Sequence, residues 1–269
     1  MQNDKLLVIP EAEYHAASKR GEFLSSHNLA KFRESGPAYY RAWMDGTIPE
    51  KKPEAFAFGS AAHKFILEGE EAFAHDYVVS DGPVNEKTGE PYGKLTKAYK
   101  EWLDNQTAEV ISTADYSAIC AMNDSVKNHP TAKAFFMSGV PERVVRFEYC
   151  GKPCQIRMDW YSDVSGIIDL KTTADLDWFA SDIKRYGYAY QGAFYERGCE
   201  IAGIVKECPV FIVAVEKVAP YRTGVFQLMP EVISEAATRN EIAIKEMLDC
   251  ERNNSWPTGF EFPRPVVEL

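Results

Sequence analysis

Two aspartates and a lysine near the middle of the chain have the types and spacing for metal-assisted hydrolysis. Asp159 lies five residues before Val164 and Asp169 five residues after it. A symmetric antiparallel hairpin turning at Val164 therefore sets the two carboxylates opposite each other. Opposed strand residues have Cβ atoms about 4.5–5.5 Å apart, and two ionised carboxylates that close repel unless a cation or a proton lies between them. Side chains alternate along a strand, so Lys171 points to the face of Asp169 and, in this register, of Asp159. This grouping suits phosphodiester hydrolysis. The carboxylates bind Mg²⁺ or Mn²⁺, the ion lowers the pKa of a water, and the lysine orients that water or helps deprotonate it. An exposed, salt-bridged hairpin would use the same residues. Against that, Asp169-Leu170-Lys171 sits in an apolar, β-branched run where unpaired charge is uncommon.

Two further groups have chemical capacity. In Gly59-Ser60-Ala61-Ala62-His63, small residues lead into a histidine that a helical apolar pattern follows, so His63 can face a neighbouring element across a close contact. Neutral imidazole is a competent ligand, and it is also a common hydrogen-bonded core group. Gln191 and Tyr195 are four apart on an expected helix and share a face, after Tyr186, Tyr188 and Tyr190. Their amide and phenol suit DNA contact, or simply pack the helix.

The elements that must position these groups follow from periodicity. Helices are expected near 26–34, 37–44, 60–74, 94–108 and 113–128, with loops at the Pro/Gly-rich breaks 46–53, 81–93 and 139–142. Strands are expected at 143–149, 152–161 and 166–172, with Gly151-Lys152 as the first turn. In the second strand, Cys154, Ile156, Met158 and Trp160 alternate with Gln155, Arg157 and Asp159. Helices at 175–184, 187–198 and 231–249 and strands at 209–216 and 223–229 complete an α/β chain with a central mixed sheet flanked by helices. We read one domain over 1–269, with a helical part to about 138 and a catalytic sheet with its helices from 139.

Composition narrows the function. At 26% charged and 45% hydrophobic the chain is globular, and no apolar run is long enough for a membrane span. The first ten residues lack the apolar core and cleavage site of a secretory signal, so the cytoplasm is the expected compartment. The six cysteines are expected as free thiols, because Cys150 and Cys154 have no second pair with which to hold zinc. A net charge of −10 excludes coating of nucleic acid by bulk attraction. Any DNA path must concentrate positive charge locally, and Lys94, Lys97 and Lys100 are the first candidates.

Taken in order, the motifs resemble the PD-(D/E)xK nuclease superfamily, and most closely its RecE-type exonuclease VIII group and phage relatives. The resemblance runs through residues 24–32, 59–68, 139–142, Arg157-Met158-Asp159, Ile167 to Thr173, Tyr186 to Tyr195 and Val215 to Tyr221. It implies a restriction-endonuclease-like domain in which His63, Asp159, Asp169 and Lys171 form the metal and catalytic centre, with two ions and the Leu170 carbonyl as a further ligand. It also sets Gln191 and Tyr195 beside that centre, in contact with DNA. Glu142 matches an acidic position that serves as an auxiliary ligand or caps a turn.

The activity so implied is 5′ to 3′ degradation of one strand of linear duplex DNA. It leaves a 3′ overhang for a single-strand annealing protein, and a ring-shaped homotetramer is the family's assembly. An endonuclease, a single-strand-specific nuclease and an inactive DNA-binding module are the alternatives. Phe32-Arg33-Glu34-Ser35-Gly36-Pro37 lacks the cysteine of iron–sulfur relatives, so no cluster is expected. No phosphate-binding Walker motif is present, so no ATP-driven step is expected.

Overall fold

The computed structural model describes residues 4–48, 54–206 and 208–261. The first part runs α1 (Glu11–Lys19), α2 (Ser26–Ser35), α3 (Pro37–Met44), α4 (Glu54–Glu68), α5 (Glu70–Asp76), β1 (Tyr77–Val79), α6 (Lys97–Asp104), β2 (Glu109–Ile111), α7 (Thr113–Asn128) and α8 (Pro130–Phe136). The second runs β3 (Val140–Tyr149), β4 (Lys152–Ser162), β5 (Gly166–Thr173), α9 (Phe179–Arg185), α10 (Tyr188–Ile201), β6 (Val210–Glu216), β7 (Thr223–Gln227) and α11 (Pro230–Asn253). No helix of the described residues is long and apolar enough to cross a membrane, and the six cysteines are free.

The central sheet has the order β3-β4-β5-β6-β7, with β5 and β6 parallel and every other pair antiparallel. Alternation along its strands feeds two cores. Ile156, Met158, Ile167, Ile212 and Ala214 face α2, α10 and α11, while Ile168, Leu170, Val213 and Val215 face α4 and α7. Such a two-sided sheet explains why β5 and β6 read as nearly continuous apolar runs.

Local chemistry moves several expected boundaries. The stretch 60–74 is two helices, because Gly69 (φ 90°) ends α4 and opens α5. The expected helix 94–108 contracts to α6, which Thr96 caps by accepting from the Tyr99 N–H, and β1 and β2 pair as a small parallel sheet within the helical part. Strand β3 begins at Val140, inside the expected loop 139–142. The first turn is Cys150-Gly151, one residue earlier than expected: both have positive φ (53° and 81°), which suits a two-residue hairpin. Helix α9 starts at Phe179 because 175–178 form a turn. The end of the expected 46–53 loop lies outside the described residues, and α1 and α8 had no expected counterpart.

The alternation of β4 breaks at Asp159. Met158 packs on the α10 side, but Trp160 packs on the other, edge-on to Phe136, so the two do not share a face as expected. Pairing of β3 with β4 runs on both sides of Glu142 and Asp159 but omits that pair, and Glu142 takes φ 56°. This left-handed residue disturbs the pleat on both strands.

Two contacts hold the α10 side in place. Gly198 lets α10 approach the sheet, since a Cβ there would lie 2.6 Å from Phe147 Cε1 and 3.0 Å from Ile156 Cδ1. Buried Glu216 binds the β5–α9 turn: it accepts from the Leu176 N–H (3.0 Å) and from Arg222 Nε (2.9 Å) and Nη2 (2.6 Å).

Gly198→Ala should lower the urea midpoint, because overpacking costs about 1–3 kcal/mol while the helix-propensity gain is about 1 kcal/mol. An unchanged midpoint would show that Phe147 moves aside freely. Hydrogen bonds from Arg222 hold Glu216 down to about 2, against an ordinary 4.5. A carboxyl depressed by folding contributes stability that is complete above its unfolded value and is lost as pH falls toward the folded one. Glu216→Gln should therefore be less stable than wild type at neutral pH, and the gap should narrow below about 4.5.

Candidate active site

The β4–β5 hairpin pairs Ser162 with Gly166, Tyr161 with Ile167 and Trp160 with Ile168, a register centred on Val164. Asp159 and Asp169 would be the next pair, but the ladder stops and the strands part. Asp159 Oδ2 accepts the Leu170 N–H at 2.8 Å, so a carboxylate replaces a backbone bond at the mouth of this fork. The N–H and C=O of a strand residue face the same edge, so the Leu170 carbonyl also faces the fork. Asp169 continues on β5, which β6 supports from Ile167 to Thr173.

Helix α4 brings His63 to the opening. Ala61 and Ala62 are fully buried, and a Cβ on Gly59 would meet only Thr172 Oγ1 at 3.8 Å. His63 Nδ1 then lies 3.6 Å from Asp159 Oδ2, too long for a hydrogen bond. Lys171 Nζ lies 2.5 Å from Asp169 Oδ2. On α10, Gln191 Nε2 donates to Asp169 Oδ1 at 3.1 Å and to the Tyr195 hydroxyl at 3.1 Å. A small cavity lies between Asp169, Tyr188, Gln191 and Tyr195.

Burial dominates the charge states here. It pushes the Asp169 carboxyl up to about 6, opposed by Lys171 and assisted by Asp159, and it raises Asp159 as well. Burial, with the Lys171 charge beside it, holds His63 down to about 4, so the imidazole is neutral at pH 7. For Lys171, burial works against the charge, but Asp169 and Asp159 together overcome it and raise its pKa. Burial and then the charge of Asp159 push the Glu142 carboxyl up, against the Arg157 guanidinium beside it, which favours its charge.

A family model described as a PDDEXK-like domain of unknown function (DUF3799) matches residues 25–261. The chain belongs to this PDDEXK-like family. A crystal structure from Eubacterium rectale, provisionally named an exonuclease, shares 16% identity and a TM-score of 0.67 over 98% of this chain and 96% of that one. At that identity the likeness is one of fold, and it matches the helix-flanked mixed sheet expected above. No curated protein sequence matches.

Within this PDDEXK-like chain, His63, Asp159, Asp169, Lys171, Gln191 and Tyr195 converge on the fork. Glu142 is adjacent but occupied: Arg157 Nε lies 2.8 Å from its Oε2, an ion pair outside hydrogen-bond angles, and Arg157 Nη1 lies 3.2 Å from Glu11 Oε2. Lys97 and Lys100 lie on α6 with Lys94 in the turn before it, and none of the three pairs with the fork residues. Lys97 faces Glu101 at 3.5 Å. Arg157 was within reach of sequence reasoning, since alternation puts it on the face of Asp159. Glu11 was not, because no local pattern links it to a residue so distant in the chain.

The donor chemistry fits a hard divalent cation. Two buried carboxylates with raised pKa values carry charge that such an ion would neutralise, and a neutral imidazole is free to coordinate. Among the described residues no three His, Cys, Asp or Glu side chains already form a cage. Calorimetric titration of Mn²⁺ should show strong binding to wild type and a large loss in Asp169→Ala; equal affinity and stoichiometry would remove the two-acid site.

Proposed function

We propose that this chain is a divalent-metal-dependent nuclease acting on the ends of linear duplex DNA. The observation that carries this reading is the convergence of Asp159, Asp169 and Lys171, with His63 beside them, where β4 and β5 part. Family membership supports it, since nucleases of the PDDEXK type use divalent metal ions.

Asp159, Asp169, His63 and the Leu170 carbonyl would hold Mg²⁺ or Mn²⁺, with two ions as the expected stoichiometry. When bound, the metal supplies an activated water and neutralises charge on the phosphate. Lys171, whose charge the two aspartates favour, orients the attacking water or helps deprotonate it. Gln191 holds Asp169 in position through its amide, and buried Tyr195 accepts from the same amide and so fixes Gln191 rather than reaching the strand itself. Arg157 ties Glu142 away from the metal and keeps it structural.

The 5′ to 3′ direction, the 3′ overhang passed to an annealing protein in recombination, and the ring tetramer rest on the resemblance to RecE-type enzymes. The exonuclease name of the E. rectale neighbour agrees with end-dependent cutting.

Linear and covalently closed circular duplexes offered with and without Mg²⁺ test the activity. Metal-dependent loss of the linear form alone is expected; cutting of the circle would make the chain an endonuclease, and no cutting of either a binding module. Lys171→Ala should slow single-turnover digestion by about 10²–10⁴ while DNA binding in Ca²⁺ persists. Near wild-type cutting by this variant would remove Lys171 from the mechanism.

A further inference from the structure

A column of aromatic rings runs from the core to the surface beside the fork. Phe226 lies 5.0 Å from Phe179, Phe179 lies 6.1 Å from Tyr188, and Tyr188 lies 5.8 Å from Tyr186, measured between ring centroids. Phe179 is fully buried, whereas Tyr186 is 52% exposed. The column is therefore anchored at one end and open at the other. Between Tyr186 and Tyr188, Gly187 takes φ 66° as α9 gives way to α10, which sets the two rings side by side at 33°.

Cations meet this column at two of its rings. Lys171 Nζ lies 5.0 Å from the Tyr188 centroid, which ties the middle of the column to the proposed catalytic lysine. The Arg185 guanidinium lies 5.4 Å from the Tyr186 ring, and neighbouring Lys184 is exposed. An apolar ring open to solvent, flanked by cations and continuous with a phosphodiester site, has the composition of a stacking platform for single-stranded nucleic acid. A platform for protein or lipid would have no need of the cation that links it to the fork.

We infer that Tyr186, backed by Tyr188, stacks the base of an unpaired terminal nucleotide whose phosphate is presented to Asp159, Asp169 and Lys171. This role rests on the nuclease reading and deepens it. The substrate end is splayed before it is cut, and Tyr186 positions it through the base. Arg185 supplies a cation for the neighbouring phosphate.

The test compares linear duplexes ending in a normal nucleotide with duplexes ending in a tetrahydrofuran abasic residue on either strand. Binding is measured by anisotropy with Ca²⁺ in place of Mg²⁺, and digestion is followed in Mg²⁺ alongside. Wild type and Tyr186→Phe should bind the normal end about tenfold more tightly than the abasic end, the order expected for one base on one ring. Tyr186→Ala should lose that preference while binding the abasic end as wild type does. Tyr186 is exposed, so the variant should keep its thermal midpoint.

Digestion by wild type with no base preference, or a preference that survives in Tyr186→Ala, would overturn the platform and leave the nuclease reading standing. A base preference abolished by Tyr186→Ala, with no digestion, would support the platform and overturn the catalytic reading. Failure to bind either duplex would overturn both.

Discussion

The site depends on the parting of β4 from β5 one residue beyond the Trp160–Ile168 pair. Had the ladder continued, the Leu170 N–H and carbonyl would be spent on the neighbouring strand, and Asp159 would face Asp169 with nothing between them. Instead Asp159 takes the Leu170 N–H. A buried N–H without a partner costs about 1–3 kcal/mol, so this single bond lets the strands open without leaving the backbone unsatisfied. The left-handed Glu142 on β3, opposite Asp159, bends the same place from the other side, and Arg157 holds that residue's carboxylate.

Once the fork exists, burial sets its chemistry. Two acids out of water are costly, and Lys171 compensates them only in part, as the raised Asp169 pKa shows. This region is maintained against its own electrostatics by the packed strands and helices around it. Leu170, Ile168, Val213 and Val215 anchor one side of β5 and β6, and α10 closes the other with Gln191 aimed at Asp169. The cost is concentrated where a cation would relieve it, the usual signature of a functional site in an otherwise well-satisfied fold.

The helical first part contributes through close approach. Buried Ala61 and Ala62 let α4 lie near β5, and the next residue, His63, reaches the fork from the face opposite α10. The site thus draws on both cores, and neither half of the chain contains it alone. Glu216 and Arg222 perform the corresponding task at the far end of β5, where they fix the turn that leads into α9 and on to the tyrosines.

What the sequence by itself determined was local. Alternation and turn residues specified the hairpin about Val164, whose register holds as far as Trp160 and Ile168, while the strands part before Asp159 and Asp169 can pair. Helical spacing put Gln191 and Tyr195 on one face, where they are joined through Gln191 Nε2. Tertiary structure decided what periodicity cannot express. The change of face between Met158 and Trp160 comes from a backbone kink at Glu142, whose left-handed φ no composition rule assigns to a glutamate. The ion pairs of Arg157 with Glu142 and Glu11 join residues with no local pattern between them. The charge states of His63 and Lys171 follow from burial and from neighbours brought in by other elements, because desolvation and Coulomb terms depend on distance through space and not along the chain.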